Sequence, residues 1–386
     1  MLLGAAILFV GCSVLLSLNP VQTYLASSLT NRLNKRYDIQ LDIQAVEANL
    51  WGLDLRLKGV FAQDYQQDTL FYVQEIAAPI MDFNALRKGD FDLGQVGITG
   101  LTYKISTYAG ETQSNWDVFL EKVSANASSA PPLLLNAERV AISQSHFKII
   151  DYNQEKPQLF AAQDLAVQAK DLNISGPDVA VQIDHLSFKA TRGIEVKKLS
   201  TIFRYGLDQM EFKELLLETS SSRIQGQLVL DYERIDFQDF YNKVLFHGDL
   251  DKSFISAADI NTFYPAFDPK EQFNFSLQLD GPLNELQINR LILNASETAL
   301  RGDFKIKQLF NGAAPFSLEA NVKALEAQYG GLVRLMPSVL GQNIPSSVER
   351  LGAFTMRGTA EISQDMLHAN MNVGTRLGAM YADINL

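Results

Sequence analysis

Four histidines, His146, His185, His247 and His368, are the side chains best suited to proton transfer or metal ligation near neutral pH. They are scattered along the chain, and none adjoins a cysteine or a pair of acids at ligand spacing. A metal site is therefore not expected. Cys12 is the only cysteine, so no internal disulfide can form and the redox compartment stays open. Asp64 and Asp68 in AQDYQQDTL could act as paired carboxylates, but the stretch reads as a polar hairpin turn. Asp249 and Asp251 in HGDLDKS could suggest calcium, yet no further oxygen ligands follow at regular spacing, so a turn is expected there too. The chain has no phosphate-binding glycine loop, no dinucleotide fingerprint and no nucleophile elbow. Asn126, Asn173, Asn274 and Asn294 begin N-x-S triplets, which matter only in a eukaryotic secretory host. The expectation is a protein without catalytic residues, metal or cofactor, and so not an enzyme.

What recurs instead is apolar alternation, whose chemistry is the sheltering of hydrocarbon. Leu53, Leu55 and Leu57 alternate with Asp54, Arg56 and Lys58. Phe275, Leu277 and Leu279 alternate with Ser276, Gln278 and Asp280. Phe316, Leu318 and Val322 alternate with Ser317, Glu319, Asn321 and Lys323, and Phe304 and Ile306 lie in LRGDFKIK. These eleven residues are the candidate lining of an apolar surface. Each run reads as a half-buried strand with one apolar and one wet face. Turn signals such as Lys88-Gly89-Asp90, Ser175-Gly176-Pro177 and Asp280-Gly281-Pro282 separate them, giving about 20 strands. The fold class is mainly β, a long antiparallel sheet. Helical patterning returns only over 255–269, with Ser256 as cap and Pro265 as stop, and over 325–341. The segment SANASSAPP, 124–132, reads as a linker, and Trp51 and Trp116 as packing or interfacial residues.

The N-terminus is different. Residues 2–18 contain no charge and would span roughly 25 Å as a helix, close to a hydrocarbon core. Residues 1–18 are expected to be an uncleaved transmembrane anchor, with a cleaved or lipidated signal at Cys12 as alternatives. Asn19-Pro20 starts a helix over 19–36, with Val21, Leu25, Leu29 and Leu33 as one apolar stripe. Residues 37–386 form the β region. The positive charges Arg32, Lys35 and Arg36 follow the apolar run rather than precede it, which by charge bias alone would leave the remainder in the cytoplasm. A net charge of −11 argues against nucleic acid as a partner.

The β region repeats itself. LLLETSSSRIQGQLVLDY, 215–232, aligns without a gap on LILNASETALRGDFKIKQ, 291–308, an offset of 76. Leu215, Leu217, Ser220, Gly226 and Leu228 meet Leu291, Leu293, Ser296, Gly302 and Phe304. MRGTAEIS, 356–363, echoes the second copy. LFYVQEIAAPIMDFN, 70–84, recurs as LFAAQDLAVQAKDLN, 159–173. A unit of strand, polar turn, glycine and strand is copied without any shared reactive residue, as expected when a surface is being lengthened.

The order of these features resembles the N-terminal region of the TamB translocation and assembly module family, of the AsmA-like group, in the form found in Bacteroidetes-type bacteria. The resemblance rests on Pro20-Val21-Gln22 after the apolar run, on Leu53, Leu55 and Leu57 with Gly59-Val60, and on Asp64 and Asp68-Thr69-Leu70. ISAADINTFYPAF, 255–267, resembles the family's short Asp…Phe-x-Pro segment. The resemblance covers essentially the whole chain through short, degenerate motifs. It implies an inner-membrane anchor with the bulk of the chain in the periplasm. It also implies a long, taco-like β-groove with an apolar interior, resembling bridge-like lipid transfer proteins. The implied function is movement of phospholipids toward the outer membrane, in support of outer-membrane biogenesis and sometimes beside an Omp85-type barrel protein. The family's C-terminal region is missing, and alternation continues to Leu386, so the expectation is a fragment of a longer protein.

A groove of this kind must keep an acyl chain out of water along its path. Exposing a 16-carbon chain costs roughly 13 kcal/mol at about 0.8 kcal/mol per CH₂. About 20 strands at ~4.8 Å spacing would give roughly 95 Å of apolar surface. The competing expectation is a structural scaffold or assembly factor for outer-membrane barrels, a β-sandwich or solenoid whose apolar faces fill each other. A β-helical polysaccharide enzyme fits poorly, because neither a carboxylate cluster nor short coil repeats are present.

Overall fold

The computed structural model describes residues 27–28, 30–31, 34–35, 40–49, 54–79, 90–126, 134–175, 178–191, 193–310, 315–337, 340–344, 346–363 and 366–385. The expected anchor at 1–18, most of the helix at 19–36, Trp51, Leu53 and linker residues 127–132 lie outside them. No helix among the described residues is long and apolar enough to cross a membrane. The protein is mainly β, with 18 strands and a few short helices among the described residues. It divides into two units, 1–196 and 197–386.

In the first unit β1 (Gln40–Asn49), β2 (Asp54–Gln63), β3 (Thr69–Pro79) and β4 (Asp90–Thr107) pair in succession as antiparallel neighbours. The expectation of a wholly antiparallel sheet fails at the next step. β5 (Leu134–Asp151) runs parallel to β4, with Val96 opposite Val140 and Ile98 opposite Ile142. Parallel neighbours need a crossover rather than a hairpin, and helix α1 (Asn115–Asn126) supplies it. The sequence pattern does not reveal α1, whose last residues, 124–126, carry the linker composition. Its start is a reciprocal cap: the Asp117 carboxylate accepts from the Ser114 amide at 2.9 Å, and the Ser114 hydroxyl accepts from the Asp117 amide at 3.2 Å. Trp116 packs its ring edge-on against Tyr103 at 5.4 Å, and Tyr103 stacks on Phe147 of β5 at 5.5 Å. β6 (Gln158–Ser175) and β7 (Asp178–Ala190) complete the antiparallel series.

Asp64 sits in the β2–β3 turn, as expected, but is not a free acid. It is 4% exposed. One carboxylate oxygen accepts from the Gln66 and Asp68 amides, both at 3.0 Å, and the other from Tyr108 Oη at 2.6 Å and Asn115 Nδ2 at 2.9 Å. This single side chain joins the turn, the end of β4 and the start of α1. Burial, and then its bond to Asp64, push the Tyr108 hydroxyl's pKa well above the ordinary tyrosine value.

The second unit is a plain meander. β8 (Glu195–Tyr205), β9 (Gln209–Thr219), β10 (Arg223–Asp231), β11 (Leu245–Ser256), β12 (Gln272–Gly281) and β13 (Glu285–Ala295) follow in order. β14 (Thr298–Lys307), β15 (Ser317–Gln328), β16 (Ala353–Ser363), β17 (Met366–Thr375) and β18 (Gly378–Asn385) continue it. From β9 onward each strand is paired antiparallel with the next. The helix expected over 255–269 is one turn, Ala257–Ile260, whose first amides are capped by Ser256 Oγ accepting from Ala258 at 3.2 Å. The one expected over 325–341 starts later, as α2 (Tyr329–Leu335), because 325–328 still belong to β15. Asp249 and Asp251, expected in a turn, lie within β11.

The repeated glycine is not a turn residue. Gly226, Gly302 and Gly358 lie inside β10, β14 and β16, where a Cβ would come within 2.1 Å of Asp249 O, 2.5 Å of Asn321 O and 2.0 Å of Asn370 O. Opposite them, every second strand carries an extra residue. The register slips by one in β9 between Phe212 and Leu215, in β11 between Leu250 and Ser253, in β13 between Ile288 and Leu291, and in β15 between Val322 and Leu325. Each slip is a β-bulge, which bends its strand and strengthens the local twist. Glu214 and Lys252, at φ 52° and 48°, are the left-handed residues that two of these bulges require. The bulges form one crease crossing the meander from β9 to β15.

Candidate functional site

The register assembles the apolar alternates into rows that cross the strands. In the second unit one row runs Phe212, Leu228, Gly248, Leu279, Ile288 and continues Phe304, Ala320, Ala360, Ala369, Ile384. The next runs Leu215, Gly226, Leu250, Leu277, Leu291 and continues Gly302, Val322, Gly358, Met371, Ala382. A third pairs Ile306 with Leu286, Leu318 and Ile362. Neither ten-strand row contains a charged or polar residue. In the first unit Val46, Leu57, Ile76, Ile98, Ile142, Val167 and Leu186 form an equivalent row from β1 to β7, and Leu55 pairs with Ala48 and Ala78 beside it.

Of the expected lining residues, Phe275, Leu277, Leu279, Phe304, Ile306, Leu318 and Val322 fall in the second unit's rows, Phe275 opposite Leu293. Leu55 and Leu57 fall in the first unit's rows, where they pack against the buried cluster of Ile43, Val46, Val60 and Val73. Leu53 lies outside the described residues. Phe316 does not join the rows: it precedes β15 and is 42% exposed at the strand end. Sequence reasoning missed Leu250, Leu291 and Met371 in these rows, and Leu325 and Met356, which face each other on β15 and β16. The bulges explain much of this, because an extra residue in β11 or β15 reverses the alternation halfway along the strand. Met356 carried a usable signal, the echo of the glycine repeat at 356–363.

The alternates on the other side are charged. Lys305 meets Glu285 at 2.7 Å, Lys307 meets Glu319 at 2.6 Å and Lys323 meets Asp303 at 2.7 Å. His247 lies between Asp231 at 3.2 Å and Asp280 at 2.9 Å. Such exposed pairs add little stability but keep that side wetted. The hydrogen bond and charge of Lys307 hold the Glu319 carboxyl below its ordinary pKa. No group of three or more His, Cys, Asp or Glu among the described residues could hold a metal ion.

What covers the apolar rows matters most. Each of the five buried apolar clusters draws on strands adjacent in the ladder and on the short segments at their ends. In the second unit Ala320, Val322, Ala360, Ala369 and Met371 form one cluster across β15, β16 and β17. At one end Leu335 and Met336 of the α2 segment and Ala257 close over Phe273 and Ala295. Among the described residues no cluster joins two sheets face to face, as the interior of a β-sandwich would. Comparison with known proteins finds no matching family model, no matching curated protein and no matching solved structure.

Proposed function

We propose that this chain is a lipid-transport conduit of the TamB and AsmA-like kind, an open taco-like groove whose interior is the set of apolar rows. In this reading residues 1–18 anchor it in the inner membrane, the β region stands in the periplasm, and phospholipids move along the rows toward the outer membrane. An Omp85-type barrel is the partner that the resemblance suggests. The observation that carries the reading is the pair of ten-strand rows in the second unit, unbroken by any polar side chain, whose buried apolar clusters among the described residues draw only on that unit's own strands and end segments. An acyl chain lying across the strands would meet hydrocarbon at every step, while its headgroup stayed with water.

The test is lipid occupancy of the full chain and of two variants that differ in side-chain direction. Leu277 belongs to a row, and its neighbour Gln278 on β12 points to the charged side, where its Nε2 donates to Asp249 at 3.0 Å. Protein purified under mild conditions should release phospholipid on organic extraction, identified by mass spectrometry against a β-rich control. Leu277→Glu should cut the bound lipid several-fold, and Gln278→Glu should leave it unchanged. Leu318→Arg should act like Leu277→Glu. A folded wild-type chain without lipid would overturn the proposal and favour the scaffold reading.

A further inference from the structure

The second unit carries an exposed aromatic cluster at one end of the apolar rows, where Phe240 packs with Phe212 and Leu228 against Leu230, Tyr232 and Val244. It is built by the β10–β11 and β14–β15 connections at one end of the strands. Phe237 is 41% exposed, Tyr241 47% and Phe310 53%. Their rings touch in sequence. Phe237 lies 6.2 Å from Phe240, Phe240 lies 5.9 Å from Tyr241, and Tyr241 stacks on Phe310 with centroids 5.1 Å apart. Two connections far apart in sequence thus present one continuous apolar surface.

That surface is held in place from beneath. Asn284, in the β12–β13 connection, is 4% exposed. Its amide donates to Tyr241 O at 2.9 Å and its carbonyl accepts from the Gln308 amide at 2.9 Å. Its Oδ1 accepts from the Phe310 amide at 2.9 Å, and its Nδ2 donates to Asn242 Oδ1 at 3.0 Å. One buried residue, through its backbone and its side chain, therefore joins three adjacent connections. On the far side Phe237 rests on Tyr232 at 4.6 Å, itself only 5% exposed. Closing a hairpin needs none of this, as the Gly206-to-Gln209 turn shows with one backbone bond of 2.8 Å. Aromatic side chains fixed in advance and left in water are what a binding surface spends least entropy to use.

Charge selects the occupant. The β10–β11 connection that carries most of the rings holds Glu233, Asp236 and Asp239 against Arg234 and Lys243, and the neighbouring β8–β9 turn adds Asp208. Asp208 belongs to this rim because its carbonyl accepts from the Tyr232 amide at 2.9 Å. An apolar centre with an acidic rim complements a peptide segment with an apolar core and Lys or Arg at its flanks, and it disfavours an anionic bilayer. We propose that this end of the second unit is a docking surface for such a basic-flanked apolar segment of a partner protein. The inference stands whether or not lipid occupies the rows.

The test uses the full chain, immobilised, and a displayed library of random 16-residue peptides. Selected peptides should share aromatic or large aliphatic residues between basic flanks. Their binding should weaken at least tenfold on Tyr241→Ser or Phe310→Ser, and again when sodium chloride rises from 50 to 500 mM. Both side chains are about half exposed, so these variants should keep the wild-type circular dichroism and lipid content. A third variant, Phe237→Ser, alters the far end of the cluster without touching the Tyr241–Phe310 stack. Selected peptides insensitive to the three substitutions and to salt would overturn the proposal. So would a polarity-sensitive dye at Leu309→Cys, in a Cys12→Ser background, that blue-shifts with phosphatidylcholine vesicles and ignores the peptides.

Discussion

Gly358 shows how one residue type serves the sheet. Its φ is +151°, and an added Cβ would lie 2.0 Å from the Asn370 carbonyl, a backbone atom that cannot step aside. Gly374, on the next strand, has no such φ, and its nearest obstacle is the rotatable Thr355 hydroxyl at 2.8 Å. Gly358→Ala should therefore cost roughly 2–3 kcal/mol, the range of strained backbone positions, and Gly374→Ala under about 1 kcal/mol. Urea midpoints of the two variants check this, and equal midpoints would refute the close-approach argument. Part of the pattern was legible from residues alone: the glycine repeated at 226 and 302, and the motif around 358 echoed it. The reason for the glycine was not, because the repeat placed it after a polar turn. Only the register puts it inside a strand against a neighbour's carbonyl.

At the scale of elements, the least legible feature was the parallel step from β4 to β5. Alternation marks both strands equally well, and nothing in a period of two says which direction a strand runs. α1 was hidden for a related reason. Its first residues, Asn115 and Asp117, serve caps and turn networks, so its amphipathic signal is weak. The bulges hid in the same way, since one extra residue reverses inside and outside without altering composition. The β2–β3 turn is tied to β4 by an ion pair between Asp68 and Lys104. The hydrogen bond from Lys104 holds the Asp68 carboxyl below its ordinary 3.8, against burial that pushes it up. Burial would lower the Lys104 ammonium, but the hydrogen bond and charge of Asp68 outweigh it and keep the pKa above 10.5. A depressed acid adds stability above its unfolded value and loses it as pH falls through the folded one. A raised base adds stability below its unfolded value and loses it as pH rises past the folded one. The pair's contribution should be constant across neutral pH and fade below 3.8 and above 10.5. Lys104→Met should flatten the acid limb of the urea midpoint plotted against pH, and an unchanged limb would dissociate the pair from stability.

At the scale of the molecule, each unit is a chain of nearest-neighbour pairings. From β9 to β17 every strand is paired with the one before and the one after it. Such an array is held by local interfaces, and its opening free energy should vary along its length. Hydrogen exchange read by mass spectrometry should show β18 least protected and β12 to β15 most protected. Ala382→Asp on β18 should raise exchange in β17 and β18 while leaving β10 and β11 untouched. Uniform acceleration across β9 to β18 would mean that the second unit opens as one body.

The same pairing order bears on how the chain is made. In the second unit no strand waits for a distant partner, since each new one finds its neighbour already laid down. Loop-closure entropy stays small at every step, and the contacts that set folding speed stay short in sequence. A polypeptide emerging end first through a narrow pore could settle strand upon strand at the pace of its arrival. Only one growing edge would be open at a time. A pause in delivery would then expose a single unsatisfied strand rather than a half-built core.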